Sequence, residues 1–418
     1  MRAMKDSGVD WIGEIPIQWQ LVPTKRVFKG KKQIAGANSE MYERLALTMN
    51  GVVKRNKDDN EGLQPEQFDS YQILESNELV FKLIDLQNIR TSRVGLSPYT
   101  GIVSPAYIIL TNTKSDNCFY YYWYFDMYNR CVFNRMGGDG VRSALNLKDV
   151  LEIPIPMISD AEQQRIAEFL DRKCAEVDEM IALQELIIEE LKAYKQSVIT
   201  EAVTKGLNPA APMRDSGIEW IGQIPEHWTT IRIKYLLGER KERSEYGKEE
   251  PLSMSQKYGL IPTKEMDTIP NMASSFEGAK IVYSEDLVFN KLKAHLGVFA
   301  TSKYNGLVSP DYAVYFGLGR ALMPFMEYMF KTPQYISEFR KTATGVGSGL
   351  TRLYTSDLFS MPFPLPSIDE QGVIVTYIKE KCADIDSLIQ TKLSKIDSLK
   401  EYKKSIIYEY VTGKREVE

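Results

Sequence analysis

Asp6-Ser-Gly-Val-Asp-Trp-Ile-Gly-Glu-Ile-Pro-Ile-Gln-Trp19 returns 209 positions later as Asp215-Ser-Gly-Ile-Glu-Trp-Ile-Gly-Gln-Ile-Pro-Glu-His-Trp228. Nine of the fourteen positions are identical, and two more exchange Val for Ile or Asp for Glu. Two segments of this kind, each with two Trp and a Gly-x-Ile-Pro step, mark an internal duplication. The match continues downstream. Glu78-Leu-Val-Phe81 pairs with Asp286-Leu-Val-Phe289, and Gly101-Ile-Val-Ser-Pro-Ala-Tyr107 with Gly306-Leu-Val-Ser-Pro-Asp-Tyr312. Pro154-Ile-Pro156 followed by Glu162-Gln163 pairs with Pro362-Phe-Pro364 followed by Glu370-Gln371. A glycine turn before Arg142 matches one before Arg352.

Each copy therefore has a body and a following helix. The bodies read as α/β (α+β): β-branched and aromatic runs such as 101–110 and 307–316 are bounded by Gly, Ser and Pro, as strands are. Between the landmarks the copies diverge, and 29–71 shares almost nothing with 238–276. From Asp160 to Thr204 there is neither Pro nor Gly, and Val177, Ile181, Ile188, Leu191 and Val198 recur in steps of three, four and seven. Met180, Ile187 and Tyr194 widen this stripe. Ile385, Ile389, Ile396, Leu399 and Ile406 repeat it in the second copy, joined by Leu393 and Tyr402. About 45 helical residues span roughly 67 Å at about 1.5 Å each, more than a compact domain needs. A seam near 3.5 residues calls for a helical partner, and the nearest is the other copy. The expected architecture is two bodies in pseudo-two-fold arrangement, 1–158 and 207–366, joined by long helices in 159–206 and 367–418 that form an antiparallel coiled coil.

Composition narrows the chemistry. No run of 18 apolar residues and no leader pattern is visible, so a soluble cytoplasmic protein without a membrane partner is expected. Cys118, Cys131, Cys174 and Cys382 form no Cys-x-x-Cys pair and read as small apolar side chains, and the two histidines supply neither a zinc site nor histidine catalysis well. The net charge of −4 is uneven: residues 159–206 hold 6 Lys+Arg against 11 Asp+Glu, whereas 1–158 holds 19 against 18 and 207–366 holds 18 against 17. The bodies can thus present local basic faces, and composition neither shows nor excludes a DNA partner. No phosphate-loop motif, no complete adenine-methyltransferase motif and no repeated acidic cluster is present.

For individual side chains, packing competes with function. The paired Trp segments read as packing anchors before docking surfaces. The run Phe119-Tyr-Tyr-Tyr-Trp-Tyr-Phe125 reads as a buried helix before a base-stacking platform, because its counterpart at 321–330 is apolar without being aromatic-rich. Loop cations suit phosphate neutralisation and base reading. The candidates are Lys54, Arg55, Lys57, Lys82, Arg90, Arg93 and Arg142 in the first body. In the second they are Arg240, Lys241, Arg243, Lys257, Lys291, Lys293, Lys303 and Arg352. Each alone reads as a solvated surface charge before a DNA contact.

The doubled motif, the Pro-x-Pro to Glu-Gln step before each helix, and the body–helix–body–helix order together resemble the specificity subunit of type I restriction-modification enzymes over essentially the whole chain. The resemblance implies two target recognition domains held apart by antiparallel helices, each reading half of a bipartite, asymmetric sequence in double-stranded DNA. It implies two methyltransferase subunits docked around the helices and restriction subunits joining them. S-adenosylmethionine, ATP and Mg would belong to those partners, with no cofactor, metal or catalytic residue on this chain. A coiled-coil scaffold whose bodies do not read DNA, and a stand-alone methyltransferase or nuclease with degenerate motifs, are the competing readings.

Overall fold

A computed structural model describes residues 2–49, 51–56, 68–84, 86, 93–113, 116–136, 144–256, 258–268, 275–345 and 351–417. The chain divides into two compact units, Met1–Glu185 with Leu393–Glu418 and Leu186–Lys392. This differs from the linear body–helix partition: both long helices, Asp160–Lys205 and Ile368–Val411, are cut near their middles. Each unit holds one body, half of the helix that follows it and half of the other copy's helix.

In the first unit, Lys29–Lys31, Ile108–Thr111, Leu79–Lys82 and Arg93–Leu96 form an antiparallel sheet in that order. A second sheet orders Gly51–Arg55, Arg44–Thr48, Gly101–Val103 and Gln72–Leu74, with one parallel pairing, Ile102 to Arg44. Leu79-Val-Phe81 is apolar throughout because both of its faces are covered. Leu79 and Phe81 pack against the aromatic helix Cys118–Asn129, and Val80 joins Leu45, Leu47, Val52 and Leu74 on the other side. In that helix Phe119, Tyr120, Tyr122, Trp123, Tyr124 and Met127 are buried, as expected for a core element.

The second unit builds the same frame by itself. Leu237–Glu239, Ala313–Gly317, Leu287–Phe289 and Phe299–Thr301 repeat the first sheet, with Leu287 and Phe289 on one core and Val288 on the other. The hairpin Leu252–Ser255 with Gly259–Pro262 stands where Arg44–Arg55 stands in the first body, and Pro251 makes a parallel bridge to Leu307 as Arg44 does to Ile102. The divergent segments thus hold equivalent hairpins. A hairpin requires only alternation and a turn, so its side chains are free to differ.

Close approach at that parallel pairing explains one repeated glycine. A Cβ on Gly101 would lie 2.4 Å from the Glu43 carbonyl oxygen, and one on Gly306 would lie 2.3 Å from that of Glu250. Backbone cannot yield there as a side-chain tip can.

Within each unit the long helices run antiparallel. In the first, the Phe169 and Tyr410 rings lie 4.3 Å apart and Asp178 pairs with Lys403 at 2.6 Å. In the second, Lys195 pairs with Asp386 at 2.7 Å, and Ala202 and Val203 share a core with Ile374 and Ile378. Val177, Ile188, Ile385, Ile396, Leu399 and Ile406 are buried, and Ile181, Leu191, Val198 and Ile389 are half-buried. Met180, Tyr194, Leu393 and Tyr402 do not widen the seam as expected: all four are exposed. Two helices bury only a narrow a/d stripe, so flanking apolar positions face outward.

Gly101→Ala and Gly306→Ala should each lower stability by about 1–3 kcal/mol through overpacking. Gly345→Ala, with nothing within 4 Å of the added Cβ, should leave the thermal unfolding midpoint of its unit unchanged.

Candidate nucleic-acid interface

The doubled motif positions each body. Asp6-Ser-Gly8 turns through Gly8 N–H to Asp6 Oδ1 at 2.9 Å and Val9 N–H to Ser7 Oγ at 3.2 Å, and Asp215-Ser-Gly217 repeats both bonds at 2.9 and 3.2 Å. Each chain then enters a short strand ending in the Ile-Pro step and delivers a Trp into the core. Trp19 and Trp228 are each 1% exposed. The Trp19 indole donates to Glu162 Oε1 at 3.2 Å, and that of Trp228 to Glu370 Oε1 at 3.0 Å. Both acceptors sit in the first turn of a long helix whose start is capped by a serine: Ser159 and Ser367 accept from the Glu162 and Glu370 N–H groups. The adjacent Gln163 and Gln371 donate to the carbonyls of Ile158 and Pro366, at 2.9 and 3.0 Å, and tie the turn before each helix. The other copy's helix ends on the same Trp. A Cβ on left-handed Gly413 would meet Trp19 at 2.9 Å, and one on left-handed Gly206 would meet Trp228 at 3.6 Å. The Trp are therefore packing anchors.

On this frame lie the candidate cations. In the first body Lys82 and Arg93 are cross-strand partners, and Arg93 reaches Met49 Sδ in the turn of the hairpin that carries Lys54 and Arg55. Lys54 is exposed, pairs with Glu43 at 2.6 Å and lies over Tyr99, and the Glu43 carboxylate raises its pKa. Arg55 and Lys82 are half-buried. Lys57, Arg90, Arg142 and Lys257 lie outside the described residues.

In the second body the candidates separate. Arg240 is committed to the frame: its guanidinium donates to Asp286 from Nε at 2.7 Å and from Nη2 at 3.0 Å, and lies over Tyr283 and Phe316. Lys31 and Glu78 form the equivalent pair in the first body at 2.9 Å. Lys303 lines a cavity of about 680 Å³ with Tyr258, Tyr304, Lys331 and Lys379. Lys241 and Lys293 are exposed and make no ion pair among the described residues. Arg352 lies beside Lys291, and Arg243 and Lys291 come together around a residue that the loop argument missed, Lys280. It opens the strand Lys280–Val282, bridges to Arg243, is 6% exposed and has Glu239 at 3.8 Å. Burial lowers the pKa of Lys280, and repulsion from Lys291 and Arg243 adds to the effect. Burial lowers that of Lys291 too, with Arg352 adding repulsion. A lysine inside a strand that is otherwise apolar is the signal that could have found it.

The pairing of Arg142 with Arg352 needs correction. Leu145 N–H donates to the Leu83 carbonyl and Leu353 N–H to that of Lys291, each at 3.0 Å, so the residue equivalent to Arg352 is Ala144. The stretches Gly137–Leu145 and Gly345–Leu353 are equally long, so Arg142 stands two places before the position that Arg352 occupies in its copy. Among the described residues no group of His, Cys, Asp or Glu could hold a metal ion, and no helix is long and apolar enough to cross a membrane.

Two α/β bodies on one repeated frame, each closed by both long helices, define a duplicated two-body architecture. Residues 24–193, the first body and most of its helix, match the type I restriction modification DNA specificity domain. The type I restriction enzyme EcoDI specificity subunit of Escherichia coli is 20% identical over 93% of this chain and 87% of its own. The MjaVIII specificity subunit of Methanocaldococcus jannaschii is 21% identical over 63% of this chain, and the match spans 62% of that relative's length. Among solved structures, a chain from work on complex assembly and conformational transition of the type I R-M system superposes with a TM-score of 0.68. It is 13% identical, and the match covers 95% of this chain and 98% of that one. The first body thus matches a type I restriction modification DNA specificity domain, and the chain is similar along most of its length to type I specificity subunits.

Arg240→Ala should lower the second unit's unfolding midpoint, because it leaves the buried Asp286 carboxylate without its strongest partner, a loss of about 1–3 kcal/mol. Lys241→Ala should shift stability by no more than about 0.5 kcal/mol.

Proposed function

We propose that this chain is the non-catalytic DNA-reading subunit of a cytoplasmic type I restriction-modification complex. Each body reads one half of a bipartite, asymmetric target in double-stranded DNA, and the paired helices set the spacing of the readers. The observation that carries this reading is the combination of one repeated frame with different polar side chains mounted on it. Equal frames present their reading surfaces alike, and unequal side chains select unequal half-sites. Methyltransferase subunits that bind S-adenosylmethionine, and restriction subunits that use ATP and Mg, supply the chemistry.

The helices supply a reason for two methyltransferase subunits. Met180 and Tyr402, both in the first unit, are 50% and 53% exposed; their equivalents 208 positions away, Leu388 and Tyr194 in the second, are 51% and 59% exposed. Each unit thus offers one apolar pair beside an equivalent ion pair, Asp178–Lys403 or Lys195–Asp386. Large apolar side chains repeated at matched places suit two copies of one partner.

Met180→Glu with Tyr402→Glu should cost the complex one methyltransferase subunit, and adding Leu388→Glu with Tyr194→Glu should cost the second, with unfolding midpoints unchanged. Native mass spectrometry of the co-expressed proteins reads this directly, and full occupancy in the fourfold variant would refute the docking faces.

Methylation-site sequencing of DNA from cells expressing the chain with its methyltransferase subunit should return two half-sites separated by a fixed spacer. Exchanging residues 1–158 for those of another family member should change one half-site only. Methylation without sequence preference would favour the scaffold reading, and methylation or cleavage by the purified chain alone would favour the stand-alone enzyme.

A further inference from the structure

The two bodies share backbone register, so each charged position in one has an identifiable counterpart in the other. Arg243 bridges Lys280 as Ile34 bridges Gln72, and Lys280 faces Val308 as Gln72 faces Val103. Lys291 accepts from Leu353 N–H as Leu83 accepts from Leu145 N–H. The cations Arg243, Lys280, Lys291 and Arg352 of the second body therefore replace Ile34, Gln72, Leu83 and Ala144 of the first, all neutral. Two acids accompany them. Glu239 lies 3.8 Å from Lys280, and Asp311 accepts from Arg352 Nη2 at 2.9 Å; their counterparts, Gly30 and Ala106, are neutral too. Four cations against two acids leave a local excess of positive charge on a frame that carries none in the other copy.

The fold does not require these charges. Gln72 fills the Lys280 place by donating to the carbonyls of Ser104 and Tyr107 at 3.1 and 2.9 Å, and Leu83 fills the Lys291 place as a core residue. Burying Lys280 and half-burying Lys291 beside other cations costs free energy: burial first, and then the neighbouring positive charges, lower both pKa values. Among the described residues Lys291 makes no ion pair and Arg352 Nε is buried without a hydrogen-bond partner. Donors in excess of acceptors, kept against both stability and solvation, call for an anion from outside the chain.

We infer that Lys280, Lys291 and Arg352, with Arg243 at the rim, form a phosphate seat in the second body alone that grips the sugar-phosphate backbone of the bound duplex. The inference rests on the DNA-reading function proposed above and adds that the bodies divide the work unequally, the second holding the backbone more tightly than the first. Phosphate rather than a base edge is the assigned ligand because Lys280 and Lys291 offer point charges without the planar fork suited to bidentate base reading.

The test uses the full-length chain and two probes, a random-sequence duplex and the preferred duplex selected with the unmodified protein. Affinities are measured by fluorescence anisotropy between about 50 and 200 mM salt, the range over which phosphate neutralisation changes affinity most visibly. Combining Lys280→Gln, Lys291→Leu and Arg352→Ala, which installs the first body's residues, should lower the slope of log affinity against log salt by about 0.9 for each phosphate that is no longer neutralised. Binding of both duplexes should weaken by the same factor. Charge-retaining Lys291→Arg should keep the original slope, and thermal unfolding checks that the triple variant folds. An unchanged slope in a folded triple variant, or a changed base preference at constant slope, overturns the phosphate seat. Failure of the unmodified chain to bind either duplex counts instead against DNA reading itself.

Discussion

Each half of this protein is organised by a tryptophan that meets both long helices at once. Burying an indole removes about 200 Å² from water, worth about 5 kcal/mol at about 25 cal/mol per Å². Its bond to a carboxylate adds about 1.5–3 kcal/mol. Burial therefore supplies most of the attachment, and the N–H bond to Glu162 or Glu370 decides where along the helix it stops. The glycine that ends the other copy's helix closes the junction from the far side: a Cβ on left-handed Gly413 would collide with the Trp19 indole, and one on left-handed Gly206 would crowd Glu370 Oε1 at 3.3 Å. That three-part junction ties each body to both long helices.

A junction repeated twice constrains the frame and leaves the rest of each body free. The strand pair 101–103 and 306–308, the tied Gln163 and Gln371, and the Lys31–Glu78 and Arg240–Asp286 pairs recur because each satisfies a local packing or hydrogen-bonding demand. Where no such demand exists, the copies differ while keeping the same backbone. Lys280 in place of Gln72 is the plainest example: the backbone is the same, and one side chain is internally satisfied while the other carries an under-compensated charge.

Much of the frame was legible beforehand. The Trp segments fixed the period of the repeat, the three-and-four spacing of Val177 to Val198 located the buried seam, and the aromatic run was correctly a core helix. What escaped involved partners distant in the chain. Arg240 looks like any other loop cation until Asp286, 46 residues away, is seen to take its donors. Arg352 looks like the mate of Arg142 until hydrogen-bond register assigns Ala144 instead. Met180, Tyr194, Leu393 and Tyr402 look like seam residues because periodicity gives a face without giving its width.

The sequence by itself determined the duplication, the α/β bodies and the long helices, because these depend on local patterns: turn residues, alternation and helical spacing. Only the tertiary structure decided that each unit takes half of both helices, which cations serve the frame, and that one body holds a charge cluster the other lacks. Those outcomes depend on which residues become neighbours after folding. Electrostatic and hydrogen-bond energies are set by distance and burial, and neither quantity is written in the order of the residues.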